Sequence, residues 1–329
     1  MIGMLNNDRR HQSDLPAAPN QSKTLLMNLK LPAIFRKLGA NPYVLLILTT
    51  LMWSANGIAG RLAIGEISPM VIVSLRWLLA STLLFAFAHK QIAQDWQVLK
   101  RHLWLVAFGG VFGFTAFNAL FYLAAHHTSG VNMTILQGSL PIFTLIGALA
   151  FHRTQISLLG ALGILLTLAG VMTVASKGDW DSLMSLSFNI GDIWLIVACL
   201  LYAMFTLSLR NRPKVSGIGF FAILAVAAFF TAIPLIGWEM ASGDAQWPTL
   251  RGWEILAFIT LGPSLLAQLF FLKAVDLIGP SRASVFTNLV PIFGPIIAIV
   301  VLGEAFHPFH AVALVLVLGG IGLAEWRRA

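Results

Sequence analysis

From Tyr43 to Glu325 the chain is a succession of apolar runs divided by short breaks that carry most of the charge. A helix crosses the hydrocarbon of a bilayer with ~20 apolar residues. In that solvent every backbone N–H and C=O must be paired within its own segment. The pattern therefore predicts an all-α integral membrane protein with ten transmembrane helices. They fall at roughly 43–64, 69–89, 103–125, 129–150, 156–176, 189–209, 216–237, 253–275, 280–302 and 307–325. Hydrophobic residues make up 58% of the chain and charged residues 10%, where a soluble domain carries about 25% charged residues. Thr128-Ser129-Gly130 and Gly279-Pro280-Ser281 are turn signals between closely spaced runs and predict tight hairpins.

Residues 1–42 stand apart as a cytosolic basic tail. The polar stretch 1–22 predicts no fold of its own. Residues 23–38 mix Leu25, Leu29, Ile34 and Phe35 with Lys23, Lys30, Arg36 and Lys37. Two readings stand for them: a basic helix on the membrane surface, or an unstructured tail, which Pro32 favours. With the N-terminus inside, the inner segments hold Lys90, Lys100, Arg101, Arg153, Arg210, Arg212, Lys214, Lys273, Arg282, Arg327 and Arg328. The outer ones hold Arg61, Lys177 and Arg251. Cytosolic loops are the ones enriched in Lys and Arg, so both termini are expected in the cytoplasm of a bacterial inner membrane. That requires an even number of spans. The net charge of +8 is then a topology signal and implies no nucleic-acid partner.

The two halves resemble each other at a shift of 150 positions, Pro141-Ile142-Phe143 lying over Pro291-Ile292-Phe293 and Gly170 over Gly320. This defines two five-helix units, 43–176 and 189–325. Five is odd, so the second unit enters the membrane from the opposite side. Inverted repeats of this kind are the frame of many secondary transporters, with substrate near the midplane between the halves.

Several segments carry a family likeness. They are Leu51-Met52-Trp53-Ser54-Ala55-Asn56, Ile67-Ser68-Pro69 leading to Leu75-Arg76-Trp77, Ala283-Ser284-Val285 through Leu289-Val290-Pro291-Ile292-Phe293, and Leu302-Gly303-Glu304. In order and spacing the chain resembles the drug/metabolite transporter superfamily, and within it the EamA-type exporters of ten helices in two five-helix repeats. The resemblance implies export of small metabolites, such as amino acids. One departure is that the first half has His152-Arg153-Thr154 where the family has Gly-Glu.

Polar residues within spans are costly and point to a pathway. Trp53, Asn56 and Gly60 are spaced to share one face of the first span. Arg76 lies seven residues from the start of the second, ~10 Å deep. It reads either as a counter-charge to a carboxylate or phosphate, which guanidinium pairs bidentately, or as a helix-end arginine that snorkels. Trp77 beside it could line a cavity or face the interface. Gly109, Gly110 and Gly113 read as close packing. Asn118 and Tyr122 share a face, as do Tyr202 and Thr206, and Ser264 and Gln268 lie close together in the eighth span. Thr134, Gln137 and Pro141 are matched across the repeat by Ser284, Thr287, Asn288 and Pro291, and the prolines read as hinges. The expected substrate site is Trp53, Asn56, Arg76, Asn118, Gln137, Tyr202, Gln268 and Asn288, with Pro141 and Pro291 as hinges.

No Asp or Glu falls in the middle of a span, which disfavours a dedicated proton relay. Glu304-x-x-His307-x-x-His310 is interrupted by Pro308 and is not read as a metal site. There is no phosphate-binding GxxxxGK[ST] loop and no HExxH, so an enzyme is not expected, nor a cofactor. The lone Cys199 forms no internal disulfide. The partners expected are a small-molecule substrate and the lipid bilayer, with the chain a monomer or homodimer. A nucleotide-sugar or sugar-phosphate exchanger is the nearest rival and a non-transporting membrane scaffold the next.

Overall fold

The computed structural model describes residues 41–152, 157–179, 181 and 189–325. The predicted tail over 1–40, Arg153 and Thr154, and Arg327 and Arg328 lie outside the described residues. Every regular element among the described residues is helical. In chain order these are α1 (Pro42–Leu62), α2 (Pro69–Leu99) and α3 (Leu103–Phe108, Gly109–Thr115 and Ala116–Ala125). Then come α4 (Gly130–Gln137 and Leu140–His152), α5 (Leu158–Ala175), α6 (Ile190–Ser208) and α7 (Gly217–Ala241). Last are α8 (Leu250–Ile259, Thr260–Leu266 and Ala267–Ile278), α9 (Pro280–Val285, Phe286–Leu289 and Val290–Leu302) and α10 (Pro308–Glu325).

The first-turn N–H groups of a helix lack partners within it, and the sequence supplies acceptors at most starts. The Asn41 side chain accepts from the N–H of Tyr43 at 3.0 Å, and Pro42 follows where its missing N–H costs nothing. Ser129, Ser157, Asn189, Ser216 and Thr249 do the same for α4 to α8. Gly279 turns the chain between α8 and α9 at φ +85°, a conformation that favours glycine.

Among the described residues, eight helical runs are long and apolar enough to cross a membrane, and Pro308–Ala324 is a shorter apolar one. One of the eight, Pro69–Ala125, comprises α2 and α3. It leaves helical geometry at His102, with φ −118° and ψ 24°. The chain is thus a multi-pass membrane protein.

α2 packs along α7 and α5 along α10. α1 packs on α8 and α9, and α6 on α3 and α4. Small residues permit the closest approaches: a Cβ on Gly163 would come within 2.4 Å of the Gly320 carbonyl. The first part of α4 packs on Val290–Leu302 of α9, whereas Leu140–His152 packs on α6 and Pro280–Val285 on α8. α4 and α9 therefore cross near Gly138 and Pro291 and separate beyond that point.

Two local features were not anticipated. Gly109–Thr115 of α3 and Thr260–Leu266 of α8 are wound as π-helices. In α8, Pro263 cannot donate an i→i−4 hydrogen bond, and the Ser264 hydroxyl donates to the carbonyl of Ile259, five residues back, at 2.7 Å. In α3, Gly109 and Gly113 let Phe205 of α6 approach the backbone. α4 and α9 are each interrupted just before a repeat-related proline, by a turn at Gly138-Ser139 ahead of Pro141 and by the 3₁₀ segment Phe286–Leu289 ahead of Pro291.

Candidate functional site

Arg76 organises the interior. Its residue is only 5% exposed, so the snorkelling reading is corrected: the guanidinium stays inside the bundle. Nε donates to the Ser264 hydroxyl at 2.6 Å. Nη1 donates to Asn118 Oδ1 at 2.7 Å and to the Tyr122 hydroxyl at 2.6 Å. That hydroxyl donates on to Asn56 Oδ1 at 3.0 Å, and the Asn118 amide nitrogen donates to the Phe114 carbonyl at 2.5 Å. The cation also lies over the rings of Trp77 and Tyr122, at 5.1 and 5.9 Å. Four helices, α1, α2, α3 and α8, thus converge on one charge. The π winding of α8 is part of this geometry, since it carries Ser264.

All of these partners are neutral. Among the described residues no carboxylate lies within ion-pairing distance of Arg76, and the ion pair that does form is Arg61–Glu304. A buried cation left without a counter-charge costs several kcal/mol, and hydrogen bonds to neutral oxygens offset only part of that. The arrangement is chemically suited to an anion.

Three of the eight expected site residues, Asn56, Arg76 and Asn118, are in direct contact through this network. Tyr122 and Ser264, noted in the sequence but left out of that set, complete it. Gln268 is half-buried four residues beyond Ser264 and is not among the partners of Arg76. Trp53 packs on Phe271 of α8, ring centroids 5.4 Å apart, while Asn56 and Gly60 both meet Tyr122 of α3. Tyr202 joins an aromatic cluster with Phe117 at 5.1 Å and Phe205 at 5.6 Å. Trp77 neither lines a cavity nor faces lipid: it is 1% exposed and packs edge-on against Phe114.

Gln137 ends the first part of α4, which packs on Val290–Leu302 of α9, and Asn288 lies in the 3₁₀ segment of α9 that packs on α1. Gln137 Oε1 and Asn288 Oδ1 are both buried and have no hydrogen-bond partner. Each falls in or beside the interruption that precedes Pro141 or Pro291. An unsatisfied buried acceptor in each of the two interrupted helices suits a donor such as an ammonium group.

The loops at the Arg61 end are tied by polar side chains. Glu304 caps α4, His310 Nδ1 accepts from the N–H of His307 at 3.0 Å, and His310 Nε2 lies 3.1 Å from Asn132 Oδ1. Among the described residues no group of three or more His, Cys, Asp and Glu could hold a metal ion.

A membrane-embedded bundle with a buried, uncompensated arginine and unsatisfied amides at broken helices is the construction of a solute carrier. The EamA-like transporter family matches the chain twice, over residues 41–176 and 189–325, and the chain belongs to that family. It is 26% identical to the uncharacterized transporter YyaM of Bacillus subtilis, over 85% of this chain and 92% of that one. To YetK of the same organism it is 27% identical, over 87% and 86%. To an uncharacterized transporter of Archaeoglobus fulgidus it is 26% identical, over 87% and 98%. A protein of known crystal structure shares the fold, with a TM-score of 0.59 at 17% identity over 87% of this chain and 96% of that one. The protein is a membrane transporter.

Proposed function

We propose that the chain is a ten-helix, inverted-repeat secondary transporter of the bacterial inner membrane that moves small anionic or zwitterionic metabolites, such as amino acids, outward by alternating access. The observation that carries this is Arg76: a buried guanidinium held by neutral side chains from both halves, with no carboxylate within ion-pairing distance among the described residues.

The count of ten rests on length. Pro69–Ala125 has 57 residues, about 86 Å of helix, against a hydrocarbon core of ~30 Å. It crosses twice, with its bend at His102. α10 supplies the tenth crossing. The inverted repeat rests on packing. Exchanging α1 with α6, α2 with α7, α3 with α8, α4 with α9 and α5 with α10 maps the most extensive packings onto one another: α2–α7, α5–α10 and α4–α9 onto themselves, α1–α8 onto α3–α6 and α1–α9 onto α4–α6. The π segments of α3 and α8 are exchanged as well, as are the interruptions of α4 and α9. Loop cations put the Arg61 end outside and both termini in the cytoplasm. α4 and α9 then meet in their outer halves and part toward the cytosol, as a carrier open to the inside does.

Arg76 takes the anionic group of the substrate, and Gln137 and Asn288 offer acceptors to its ammonium or hydroxyl groups. The aromatic cluster of Phe117, Tyr202 and Phe205 suits its apolar part. Sugar-phosphate exchange is less favoured because no second cation joins Arg76 among its described contacts.

The test is an untargeted comparison of metabolites released by cells that overexpress the chain and by cells that lack it. A class of small carboxylates or phosphates should rise outside the overexpressing cells. Equal release profiles would sink the proposal.

A further inference from the structure

Three carboxylates are seated on the N-termini of helices elsewhere in the bundle. Glu304, in the turn between α9 and α10, accepts from the N–H of Gly130 at 2.8 Å through Oε1 and from that of Val131 at 3.0 Å through Oε2. Glu239 of α7 accepts from the N–H groups of Met70 and Val71 at 3.1 and 3.2 Å and from the Ser68 hydroxyl at 2.6 Å. At the opposite end of that pair, Asp95 of α2 accepts from the Ser216 N–H at 3.1 Å and from the Ser216 hydroxyl. α2 and α7 are thereby strapped at both ends, each by the other's carboxylate.

α4 and α9 are strapped differently. Glu304 holds α4 at the Arg61 end, where Arg61 Nε stands 3.7 Å from Oε1 and Arg61 Nη1 donates to the Ala125 carbonyl at 2.7 Å. At the other end the sequence offers no matching carboxylate, since the position 150 residues before Glu304 is Thr154 and its neighbours are His152 and Arg153. Gly303, at φ +67°, turns the chain so that Glu304 faces α4. Beside the latch is a cavity of about 280 Å³ lined by His127, Asn132, Lys177, His307 and Glu304 itself.

We infer that Glu304 is the latch of the outer closure: its carboxylate holds the outer half of α4 against α9, and breaking that contact opens the pathway to the outside. The inference rests on the orientation and alternating access put forward above. Negative charge on a helix N-terminus and charge-assisted hydrogen bonds both favour the latched state. With threonine, Thr154, at the position that matches Glu304 in the first half, this contact biases the carrier toward the inward-open form. Glu239 does not act this way, because α2 and α7 are tied at both ends and do not part.

The test needs no substrate. Cys199→Ala removes the only thiol, and Thr134→Cys places a reporter one turn below the latch, in the fully buried α4–α9 contact. Right-side-out vesicles are treated with a membrane-impermeant maleimide. Glu304→Gln should speed labelling about tenfold, because it replaces hydrogen bonds to a charged group with weaker neutral ones, and Glu304→Asp should fall between it and the parent. Arg61→Gln, which leaves the helix cap in place, should give a smaller rise and keeps the test decisive if Glu304→Gln does not fold. Glu239→Gln should leave the rate unchanged. Parental labelling in Glu304→Gln and Arg61→Gln, or an equal rise in Glu239→Gln, overturns the latch. A response seen only with reagent on the cytosolic side overturns the orientation instead, and with it this inference.

Discussion

Arg76 Nη1 donates to the hydroxyl of Tyr122 at 2.6 Å, so a cation buried in the bundle rests on a phenol and not on a carboxylate. The same hydroxyl donates to Asn56 on α1. Tyr122→Phe takes one acceptor from Arg76 and leaves Asn56 Oδ1 without its donor. Leaving a buried polar group unpaired costs about 1–3 kcal/mol. Thermal unfolding in detergent should show a loss of that order, and an unchanged melting temperature would contradict the network drawn here.

Gly294 of α9 meets Thr134 of α4 so closely that a Cβ there would come within 2.2 Å of the threonine side chain. Gly294→Ala should therefore wedge the α4–α9 crossing and destabilise the protein by about 1–3 kcal/mol. Adding Thr134→Gly, which removes the Cβ that would be struck as well as the atoms beyond it, should recover a substantial part of the loss. If the double variant is as unstable as the sum of the two singles, the crossing is not where the strain lies.

Pro291 sits just after the 3₁₀ segment of α9, and Pro141 just after the turn in α4. Either proline changed to alanine restores the option of a continuous helix. Each variant should slow transport while leaving the concentration for half-saturation near that of the parent, because the hinge and not the site is altered. A weaker half-saturation with an unchanged maximal rate would assign these prolines to substrate contact.

Much of this was legible in the sequence because membranes make polarity expensive. Asn56, Arg76 and Asn118 stood out as costly residues within apolar runs, and they do meet. Pro141 and Pro291 stood out as a matched pair, and both helices break beside them. Tyr122 and Ser264 were harder to weigh. Tyr122 was noted on the face of Asn118 and Ser264 beside Gln268, but neither entered the expected site; only the fold shows both aimed at Arg76. The π winding of α3 and α8 left no periodic trace: in α8 it accompanies Pro263, and in α3 it runs through the glycines that let Phe205 approach. Trp77 illustrates the same limit: α2 packs against α3 and α7, so a ring that could have lined a cavity or faced lipid is enclosed by both. Glu304 was read within a family motif and in a rejected metal-ligand spacing, not as a helix cap, because its partners, Gly130 and Val131, lie over 170 positions away.

The most direct measurement is counterflow of the released metabolite in proteoliposomes containing the parent chain, Arg76→Lys or Arg76→Ala. The account predicts that Arg76→Ala, monodisperse and as helical as the parent, loses at least about tenfold in rate, and that Arg76→Lys recovers only part, because an ammonium lacks the guanidinium's bidentate fork. Counterflow through Arg76→Ala at the parental rate would contradict the account.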